Sequence, residues 1–326
     1  MSEGVPVDPH GPAPRRVLVL GGAGFIGRHA VQALLSIGCR VEIGSRHRAA
    51  PRGTDDYLRQ CAWRQIRIER HLQMRDWLSL LSDFDVVVNC VGILRERLGE
   101  SYERVHHLAP GALARAAAAL GVRLIQVSAL GLEEPMRSGF LRSKRRGESA
   151  VSSAGGDWCI VRPSLLDAAS GGFGARWVRR VARWPVHPLP ADASGLIAAM
   201  DVRDLGVALA RLSTCADLGS SIEARTYELG GLQARCLAEH LTALRAAEGK
   251  LPARLVRIPG WLARLGSHLC DLVHLTPFSF GHWELLRRDN CPRVNRLPEL
   301  LGRQPRRVGL SAAQAATAGG AIADSV

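Results

Sequence analysis

A glycine-rich turn between a predicted strand and a predicted helix most strongly constrains what this chain can fold into. Residues 17–20 are a short apolar run, typical of a buried strand, and residues 25–37 place apolar side chains at helical spacing. Gly21, Gly24 and Gly27 lie at the junction. The first permits a tight turn, the second lets the main chain approach a pyrophosphate, and the third lets helix and strand pack closely. The pattern predicts a dinucleotide-binding unit.

The helix after the turn is predicted to supply the rest of a phosphate site. Its first N–H groups have no partner within the helix, and its N-terminus carries a partial positive charge. Phe25, Ile26 and Arg28 are therefore predicted to contact the cofactor together with the three glycines. Gly22 also satisfies the alternative spacing GxGxxG, so the glycine pattern alone does not assign a subfamily.

The end of the second predicted strand indicates which dinucleotide binds. An acidic residue about twenty positions after the glycines binds the ribose 2′-hydroxyl in NAD-specific proteins. Here residues 40–44 lead instead into Ser45 and Arg46. A guanidinium pairs with phosphate, and Arg28 can approach the same group, so NADP(H) is favoured. Arginine is common throughout the chain, which is the competing explanation and leaves NAD(H) open.

The composition is typical of a folded protein with a basic surface. The chain has 326 residues, of which 47% are hydrophobic and 22% charged, and its formal net charge is +13. Nearly all of this basicity is arginine, since lysine occurs only at positions 144 and 250. No helix-turn-helix, zinc-finger or aromatic RNA-binding signature accompanies the charge, so neither specific nucleic-acid binding nor a metal site is predicted.

Cysteine usage and the chain termini bear on location. The eight cysteines show no CxxC pair, which is typical of reduced thiols and predicts a cytoplasmic protein. No run of about 18 apolar residues is present, so no spanning helix is predicted. Residues 1–14 are expected to form a flexible leader rather than a signal peptide, and residues 313–326 a tail.

Apolar strands alternate with helices through the first half of the chain. This alternation predicts an α/β fold with a doubly wound parallel Rossmann sheet over residues 15–165. Residues 166–312 are predicted to form a smaller, mainly helical C-terminal lobe, some segments of which return to the sheet. Further strands are predicted at 62–68, 86–91, 124–127 and 159–161, and helices at 76–81, 101–120, 138–153, 175–184, 202–213, 235–248 and 260–273.

Four segments resemble the short-chain dehydrogenase/reductase superfamily in its extended or atypical form. They are the turn at 21–27, residues 89–92 after the fourth strand, Ser128 at the end of the fifth strand, and residues 162–163 after the sixth. The resemblance extends from about residue 15 to about residue 310. It implies that the cofactor also contacts Asn89, Val91, Gly92 and Pro163.

Within that superfamily the chain is most similar to the branch containing the nucleotide-binding accessory subunit of respiratory complex I and its bacterial relatives. The similarity is carried by residues 88–94, 127–131, 142–144 and 288–290. It implies a link to respiratory or quinone metabolism, with a respiratory complex or a membrane surface as partner and a location peripheral to the inner membrane.

The resemblance also implies a catalytic pattern, in which Ser, Tyr and Lys act together. The Tyr exchanges a proton with the substrate oxygen, the Lys lowers the pKa of the Tyr and holds the nicotinamide ribose, and the Ser orients the substrate. Ser128 and Lys144 match two of these residues. Phe140 stands in the place of the Tyr, one helical turn before Lys144. Phenylalanine has no ionisable oxygen, so the usual proton transfer is not available.

Three interpretations remain open. In the first, NADP(H) is a structural ligand that Lys144 and Ser128 hold without turnover. In the second, redox or isomerase chemistry continues with another acid, such as Ser128, a water or His106. In the third, a local irregularity shifts a tyrosine into register. We favour an NADP(H)-binding accessory or regulatory protein. The alternative is an NADP-dependent reductase or epimerase that acts on an apolar substrate.

Two apolar stretches in the lobe are candidates for a contact with lipid. Residues 174–184 place four arginines on one helical side and Trp177, Val181 and Trp184 on the other. Such a helix can lie on anionic lipid or on an acidic partner. A lobe helix with core tryptophans and solvated arginines is favoured. Residues 261–278 are apolar enough to line a substrate cleft or to press on a membrane.

Overall fold

Strands and helices alternate along the first half of the chain, as predicted. A computed structural model describes residues 14–309 apart from 52, 133–135, 170 and 274–278, so the tail and most of the leader lie outside the described residues. In this part of the chain the strands are β1 (Arg16–Leu20), β2 (Arg40–Ser45), β3 (Ala62–Gln65), β4 (Val86–Asn89), β5 (Arg123–Val127), β6 (Trp158–Pro163), β7 (Leu166–Asp167), β8 (Val186–Pro190), β9 (Leu196–Ile197), β10 (Met200–Asp201), β11 (Thr226–Leu229), β12 (Arg235–Cys236) and β13 (Arg254–Ile258). The α-helices are α1 (Phe25–Ser36), α2 (Asp56–Arg59), α3 (Arg75–Leu81), α4 (Ala109–Leu120), α5 (Gly139–Ser152), α6 (Phe173–Ala182), α7 (Val202–Thr214), α8 (Leu237–Ala247), α9 (Gly260–Val273), α10 (Phe280–Leu286) and α11 (Leu297–Leu301).

Seven of these strands form one parallel sheet, in the order β3-β2-β1-β4-β5-β6-β11. The first six have the order 3-2-1-4-5-6 of a doubly wound Rossmann fold, which confirms the predicted fold class. The order reverses between β1 and β4. This reversal opens a crevice at the carboxyl edge of the sheet, where ligands bind in such folds.

The apolar run in β1 shows why this sheet is covered on both faces. Val17 and Val19 belong to a buried cluster with side chains of α1 and α7. Leu18 and Leu20 belong to a second buried cluster with side chains of α4. All four are at most 1% exposed. Because successive strand side chains point to opposite faces, an uninterrupted apolar run is what a two-sided sheet requires.

Several predicted elements differ at their ends: the strand predicted at 86–91 ends at Asn89, the helix predicted at 175–184 spans Phe173–Ala182, and the helix predicted at 235–248 spans Leu237–Ala247. The third strand ends at Gln65 instead of continuing to residue 68, and a 3₁₀ turn follows at Ile68–Arg70. The helix predicted at 101–120 begins with a π-helical segment, Glu103–Leu108, before it continues as α4. Wider π-type turns occur mostly as short interruptions of α-helices, often near functional sites.

The C-terminal lobe contains strands as well as the predicted helices. β7 pairs with β10, β8 with β13, and β9 with β12, each as a two-stranded sheet. Two segments of this half belong to the Rossmann layers, since β11 extends the central sheet beside β6 and α7 packs on α1. All eight cysteines are free. None of the described helices combines the length and the apolar character needed to cross a membrane.

Candidate functional site

The turn between β1 and α1 can approach a phosphate closely because it carries little side-chain bulk. Gly21 has φ +73°, a conformation that favours glycine. A Cβ on Gly27 would lie 2.1 Å from the carbonyl oxygen of Gly21, so only glycine lets the helix pass so close. Gly24 is the N-cap residue of α1 and has no side chain that could cap the helix. The first turn of α1 contains no acidic residue. The N–H groups of Phe25 and Ile26 are therefore placed to receive an anion.

Arg28 and a loop of the lobe border this turn. The Arg28 Nε donates to the carbonyl oxygen of Gly24 at 3.4 Å, so its side chain folds back toward the start of α1. A Cβ on Gly171 would lie 3.5 Å from the Arg28 guanidinium, and a Cβ on Gly172 would lie 2.8 Å from the Phe25 ring. These two glycines, which the sequence reasoning missed, let the loop before α6 close against α1.

At the end of β2, Arg46 already has an acidic partner. Its Nη1 lies 2.7 Å from Oε1 of Glu100, and the two side chains are 58% and 18% exposed. The Ser45 hydroxyl accepts the N–H of His47 at 3.2 Å. A 2′-phosphate bound at Ser45 and Arg46 would therefore have to compete with the Glu100 carboxylate for the guanidinium.

Asn89 fixes the loop that follows β4. It is fully buried, its Nδ2 donates to Gln126 at 2.9 Å, and its Oδ1 accepts the N–H of Val91 at 3.1 Å. Gly92 comes next, and a Cβ there would lie 3.9 Å from the Lys144 Nζ. The structure thus brings the residues predicted after the fourth strand next to the predicted lysine.

Ser128 and Lys144 line one small cavity at the carboxyl end of β5. The cavity has a volume of about 10 Å³, roughly the space of one water. Its lining consists of Val91, His106, Gln126, Val127, Ser128, Lys144, Gly147 and Glu148. Ser128 is 8% exposed, and its N–H donates to Val161 at 2.7 Å. The predicted catalytic pair therefore does meet at one place.

Lys144 is half-buried, and no acceptor for its ammonium group is found among the described residues. Burial lowers its pKa to about 8, and the negative charge of Glu148 partly opposes this shift. Because desolvation disfavours the charged amine, the group can carry or release a proton near neutral pH. An ammonium in this position is available to a ligand.

Phe140 lies in a cluster of rings one turn before Lys144. It is 7% exposed, and its ring centroid lies 5.7 Å from that of Tyr102, 5.6 Å from His106 and 5.9 Å from His282. The Lys144 Nζ lies 5.6 Å from the centre of the Phe140 ring. The predicted shared face of Phe140 and Lys144 is therefore present.

No tyrosine replaces Phe140 in this cluster. α5 is regular from Gly139 to Ser152, so it offers no irregularity that could shift another residue into that position. Tyr102 comes from a different segment, and its hydroxyl donates to the carbonyl oxygen of Leu94 at 2.8 Å. Burial raises the pKa of Tyr102 to about 12. Its hydroxyl therefore keeps its proton at neutral pH and shares it with the Leu94 carbonyl oxygen.

Both ring nitrogens of His106 are engaged. Nε2 accepts the N–H of Ile93 at 3.1 Å, and Nδ1 lies 3.0 Å from the Ser143 hydroxyl, which donates to the carbonyl oxygen of Phe140 at 2.9 Å. Because a main-chain N–H can only donate, Nδ1 carries the proton. Burial and the positive charge of Lys144 hold the His106 pKa well below its usual range. His106 therefore supports the site and is not a free acid.

Charged side chains of alternating sign, from α5, β6 and β11, lie next to Lys144. Glu148, one turn further along α5, accepts from Arg162 at 2.6 and 3.0 Å, and Arg162 also lies 3.5 Å from Glu228 of β11. The Arg162 and Glu148 side chains are 14% and 5% exposed, so this is a buried pair. The next residue, Pro163, accepts the N–H of Leu130 at 3.2 Å. The predicted segment 162–163 thus ties α5 and the Ser128 loop to β6.

α10 contributes residues that the sequence reasoning did not identify. The Glu284 carboxylate is 4% exposed and accepts the N–H groups of Arg137 and Ser138 at 2.8 and 3.0 Å. It therefore fixes the chain where α5 begins. A Cβ on Gly281 would lie 3.2 Å from the Phe140 ring, so α10 packs directly on that ring. Within the described ranges, no group of three His, Cys, Asp or Glu residues is placed to hold a metal ion.

Two of the four arginines of the basic helix predicted at 174–184 are paired within the lobe, whereas Arg176 and Arg180 are exposed and Trp184 is 40% exposed. Arg179 lies 2.6 Å from Asp167, and Arg183 lies 2.8 Å from Glu248. Trp177 is half-buried, and the Trp177 and Trp184 rings meet edge to face with centroids 6.2 Å apart. These contacts favour the interpretation of α6 as a lobe helix over that of a free basic face.

Comparisons with known proteins agree with this geometry. Residues 21–179 match the family described as NAD(P)H-binding. A protein named ceramide reductase from Caulobacter vibrioides is 31% identical over 193 residues, which are 59% of this chain and 59% of that protein. The mitochondrial NADH dehydrogenase [ubiquinone] 1 alpha subcomplex subunit 9 of Arabidopsis thaliana is 30% identical over 221 residues. That match covers 65% of this chain and 53% of the subunit, so the chain spans between half and three fifths of these relatives.

Solved structures with the same fold include sugar-nucleotide enzymes. MoeE5 in complex with UDP-glucuronic acid and NAD has a TM-score of 0.62 and 20% identity, and the match covers 90% of this chain and 94% of that one. ADP-L-glycero-D-manno-heptose-6-epimerase of Helicobacter pylori has a TM-score of 0.62 and 15% identity, covering 93% and 94%. At these identities the likeness concerns the fold alone. The chain thus shares the Rossmann fold of these structures, and its residues 21–179 match the NAD(P)H-binding family.

Proposed function

We propose that the protein binds NADP(H) in the crevice between β1 and β4 and acts as an accessory or regulatory nucleotide-binding protein of respiratory or quinone metabolism. One observation carries the proposal: Phe140 occupies the position one turn before Lys144, and the hydroxyl of the neighbouring Tyr102 donates to the carbonyl oxygen of Leu94. The relative named as a subunit of NADH dehydrogenase supports the respiratory link and a respiratory complex as partner.

The residues at the carboxyl edge of the sheet match the successive chemical groups of a dinucleotide. The main chain at Gly21, Gly24 and Gly27, with the N-terminus of α1, would hold the pyrophosphate. Arg28, Ser45 and Arg46 would hold the 2′-phosphate. Ser128 and Lys144 would bind the nicotinamide end, where Lys144 supplies hydrogen-bond donors that nothing else among the described residues uses. A bound nicotinamide ring supplies or accepts a hydride.

A second function is favoured by the state of Lys144. A half-buried lysine with a pKa of about 8 can give a proton to a neighbouring oxygen near neutral pH. With Lys144 or Ser128 in that role, the protein would be an NADP-dependent reductase or epimerase for an apolar substrate. The relative named ceramide reductase supports this alternative, because a ceramide is a lipid.

Nucleotide titration followed by a turnover assay separates the two functions. The full-length protein is titrated with NADPH and NADH by nicotinamide fluorescence, and NADPH absorbance is then followed with long-chain aldehydes and ketones. The accessory function predicts stoichiometric NADPH binding without oxidation. Rapid oxidation by the wild-type protein would contradict it and support the reductase. Loss of that oxidation in Lys144→Met, with NADPH still bound, would assign the proton to Lys144.

A further inference from the structure

α9 presents an apolar face to solvent. Trp261, Leu265 and Leu269 follow one another at intervals of four residues and are 70%, 61% and 60% exposed. Side chains four residues apart lie on one face of a helix. The opposite positions, Ala263 and Ser267, are 8% and 0% exposed, so α9 turns its small residues toward the protein. This is the reverse of the usual surface helix, whose large apolar side chains face the core.

The strand before α9 extends this surface. β13 is separated from α9 only by Pro259, and its Leu255 and Val256 are 42% and 40% exposed. It pairs in parallel with β8, in which Val186 is 39% exposed. Leu255 and Val256 point to opposite sides of the strand, so one segment of the chain exposes several large apolar side chains, which is typical of a site of interaction. We call residues 254–269 the apolar surface.

The charged side chains that the apolar surface itself contributes are all positive, and one carboxylate borders it: a Cβ on Gly260 would lie 2.7 Å from Oδ2 of Asp192, which lies 3.1 Å from Arg287. Arg254, Arg257 and Arg264 are exposed, and residues 254–270 contain no Asp or Glu. The first acid, Asp271, is engaged by Arg95 at 3.4 Å and by the N–H of Phe280 at 3.0 Å. Two copies of the chain meeting through this surface would bring the exposed arginines of both copies together, while the bordering Asp192 already has Arg287 as its partner, and this disfavours self-association.

Apolar and basic side chains on one surface match an anionic phospholipid membrane. Tryptophan and leucine enter the boundary between headgroups and acyl chains, while arginine attracts anionic headgroups. α9 has 14 residues, and a helix needs about 20 to span a bilayer, so α9 would lie in the plane of the interface. We propose that the apolar surface docks on a membrane that contains anionic phospholipid. This inference goes beyond the proposed function and would stand if nucleotide binding failed.

The apolar surface is joined to the Phe140 cluster. The His268 ring stacks on Phe280 with centroids 4.6 Å apart, and Asp271 holds the N–H of Phe280 at the start of α10. α10 in turn packs on Phe140 through Gly281. Membrane docking would therefore place the candidate site close to the interface. Residues 274–278 of the apolar stretch at 261–278 lie outside the described residues.

Vesicle flotation of the full-length protein tests the proposal. The protein is mixed with vesicles of phosphatidylcholine alone or of phosphatidylcholine with phosphatidylglycerol. We expect it to float with the anionic vesicles, and less so as salt is added. Trp261→Glu/Leu265→Glu should lower the bound fraction about tenfold or more, because it places two carboxylates on the inserted face. Ile222→Glu/Val294→Glu, two sites 58% and 71% exposed outside the apolar surface, is the matched control and should bind like wild type.

NADPH titration of the same samples keeps the two proposals apart. Both pairs of substitutions should leave NADPH affinity unchanged, because neither touches the crevice. Wild-type protein that binds NADPH but does not float with anionic vesicles would overturn the membrane proposal. Flotation of Trp261→Glu/Leu265→Glu to the same extent as wild type would also overturn it. The same holds if the wild-type protein is a dimer and this variant is a monomer, because a second copy of the chain would then cover the apolar surface. Flotation without nucleotide binding would contradict only the proposed function.

Discussion

Arg46 has two candidate partners, the Glu100 carboxylate that it contacts at 2.7 Å and the 2′-phosphate of NADP(H). The contact with Glu100 is an exposed ion pair, a type that contributes about 0–1 kcal/mol to stability. A phosphate offers the guanidinium a stronger, bidentate partner. Glu100 would therefore oppose NADP(H) binding in two ways, because it competes for Arg46 and repels the phosphate.

Removing the charge of Glu100 should free Arg46 for the phosphate. We expect Glu100→Gln to raise NADPH affinity about two- to fivefold, the size of a weak surface ion pair, with little effect on NADH. Arg46→Gln should weaken NADPH binding more than NADH binding. Fluorescence titration of both nucleotides measures this. Equal loss of both nucleotides in Arg46→Gln would contradict the 2′-phosphate assignment.

A phenol at position 140 would add a proton donor one helical turn before Lys144. We expect Phe140→Tyr to raise the rate of NADPH oxidation with carbonyl substrates about a hundredfold, the lower end of general acid catalysis. Phe140→Leu, which keeps an apolar side chain there, should show no gain. The measurement is NADPH absorbance under identical conditions. A Phe140→Tyr rate equal to that of wild type would contradict the idea of a lost catalytic acid.

Some site residues could be predicted from the sequence and others could not. Ser128, Phe140 and Lys144 follow a short spacing that a family pattern carries, and they meet as expected. Glu100 and Glu284 act on partners 54 and 147 positions away. The Glu284 contact depends on how the lobe folds over the sheet, and the Glu100 contact on how two loops of the first half meet, so no local periodicity predicts either of them.

At the scale of elements, the β1–α1 turn sets the tightest steric requirement. We expect Gly27→Ala to destabilise the protein by about 1–3 kcal/mol, as overpacking does, and to abolish NADPH binding by displacing α1 from the turn. The matched control is Gly174→Ala in α6, where an added Cβ meets no atom within 4 Å. Urea unfolding and NADPH titration measure the two effects. Normal NADPH binding by Gly27→Ala would remove the steric basis of the phosphate site.

The elements that could be predicted are those with a buried face. β1, β4 and α7 are long enough to show apolar runs or helical periodicity, and they lie where expected. β9 and β12 have two residues each, too few to show any period. The close contact of α5 with the π-helical segment could not be foreseen either, although it requires Gly147, where a Cβ would collide with the His106 carbonyl oxygen.

At the scale of the whole molecule, buried neutral histidines couple stability to pH. Burial lowers the pKa of His240 and of His282 to about 4, from an ordinary value of 6.5. Between these two values the unfolded chain binds more protons than the folded one. The contribution of the two neutral histidines to the free energy of unfolding is therefore fully present above pH 6.5 and is lost as the pH falls from 6.5 toward 4.

His240 is the cleaner test, since it is 2% exposed and its Nε2 has no partner among the described residues. We expect its share of the unfolding free energy to fall by about 2 kcal/mol between pH 7 and pH 5. In His240→Gln the pH dependence should shrink by that amount, as urea unfolding at the two pH values would show. An unchanged dependence would mean that His240 does not titrate as inferred.

The return of later segments to the first half has a consequence for dissecting the chain. A fragment ending at residue 165 would lose β11, which covers the edge of β6, and α7, which covers α1. It would also lose Glu284, which anchors the start of α5. The fragment would expose the unpaired edge of β6 and the apolar face of α1, and both features promote aggregation. Residues 1–165 are therefore not expected to fold on their own, and a fusion that transfers them to another protein would need the later segments as well.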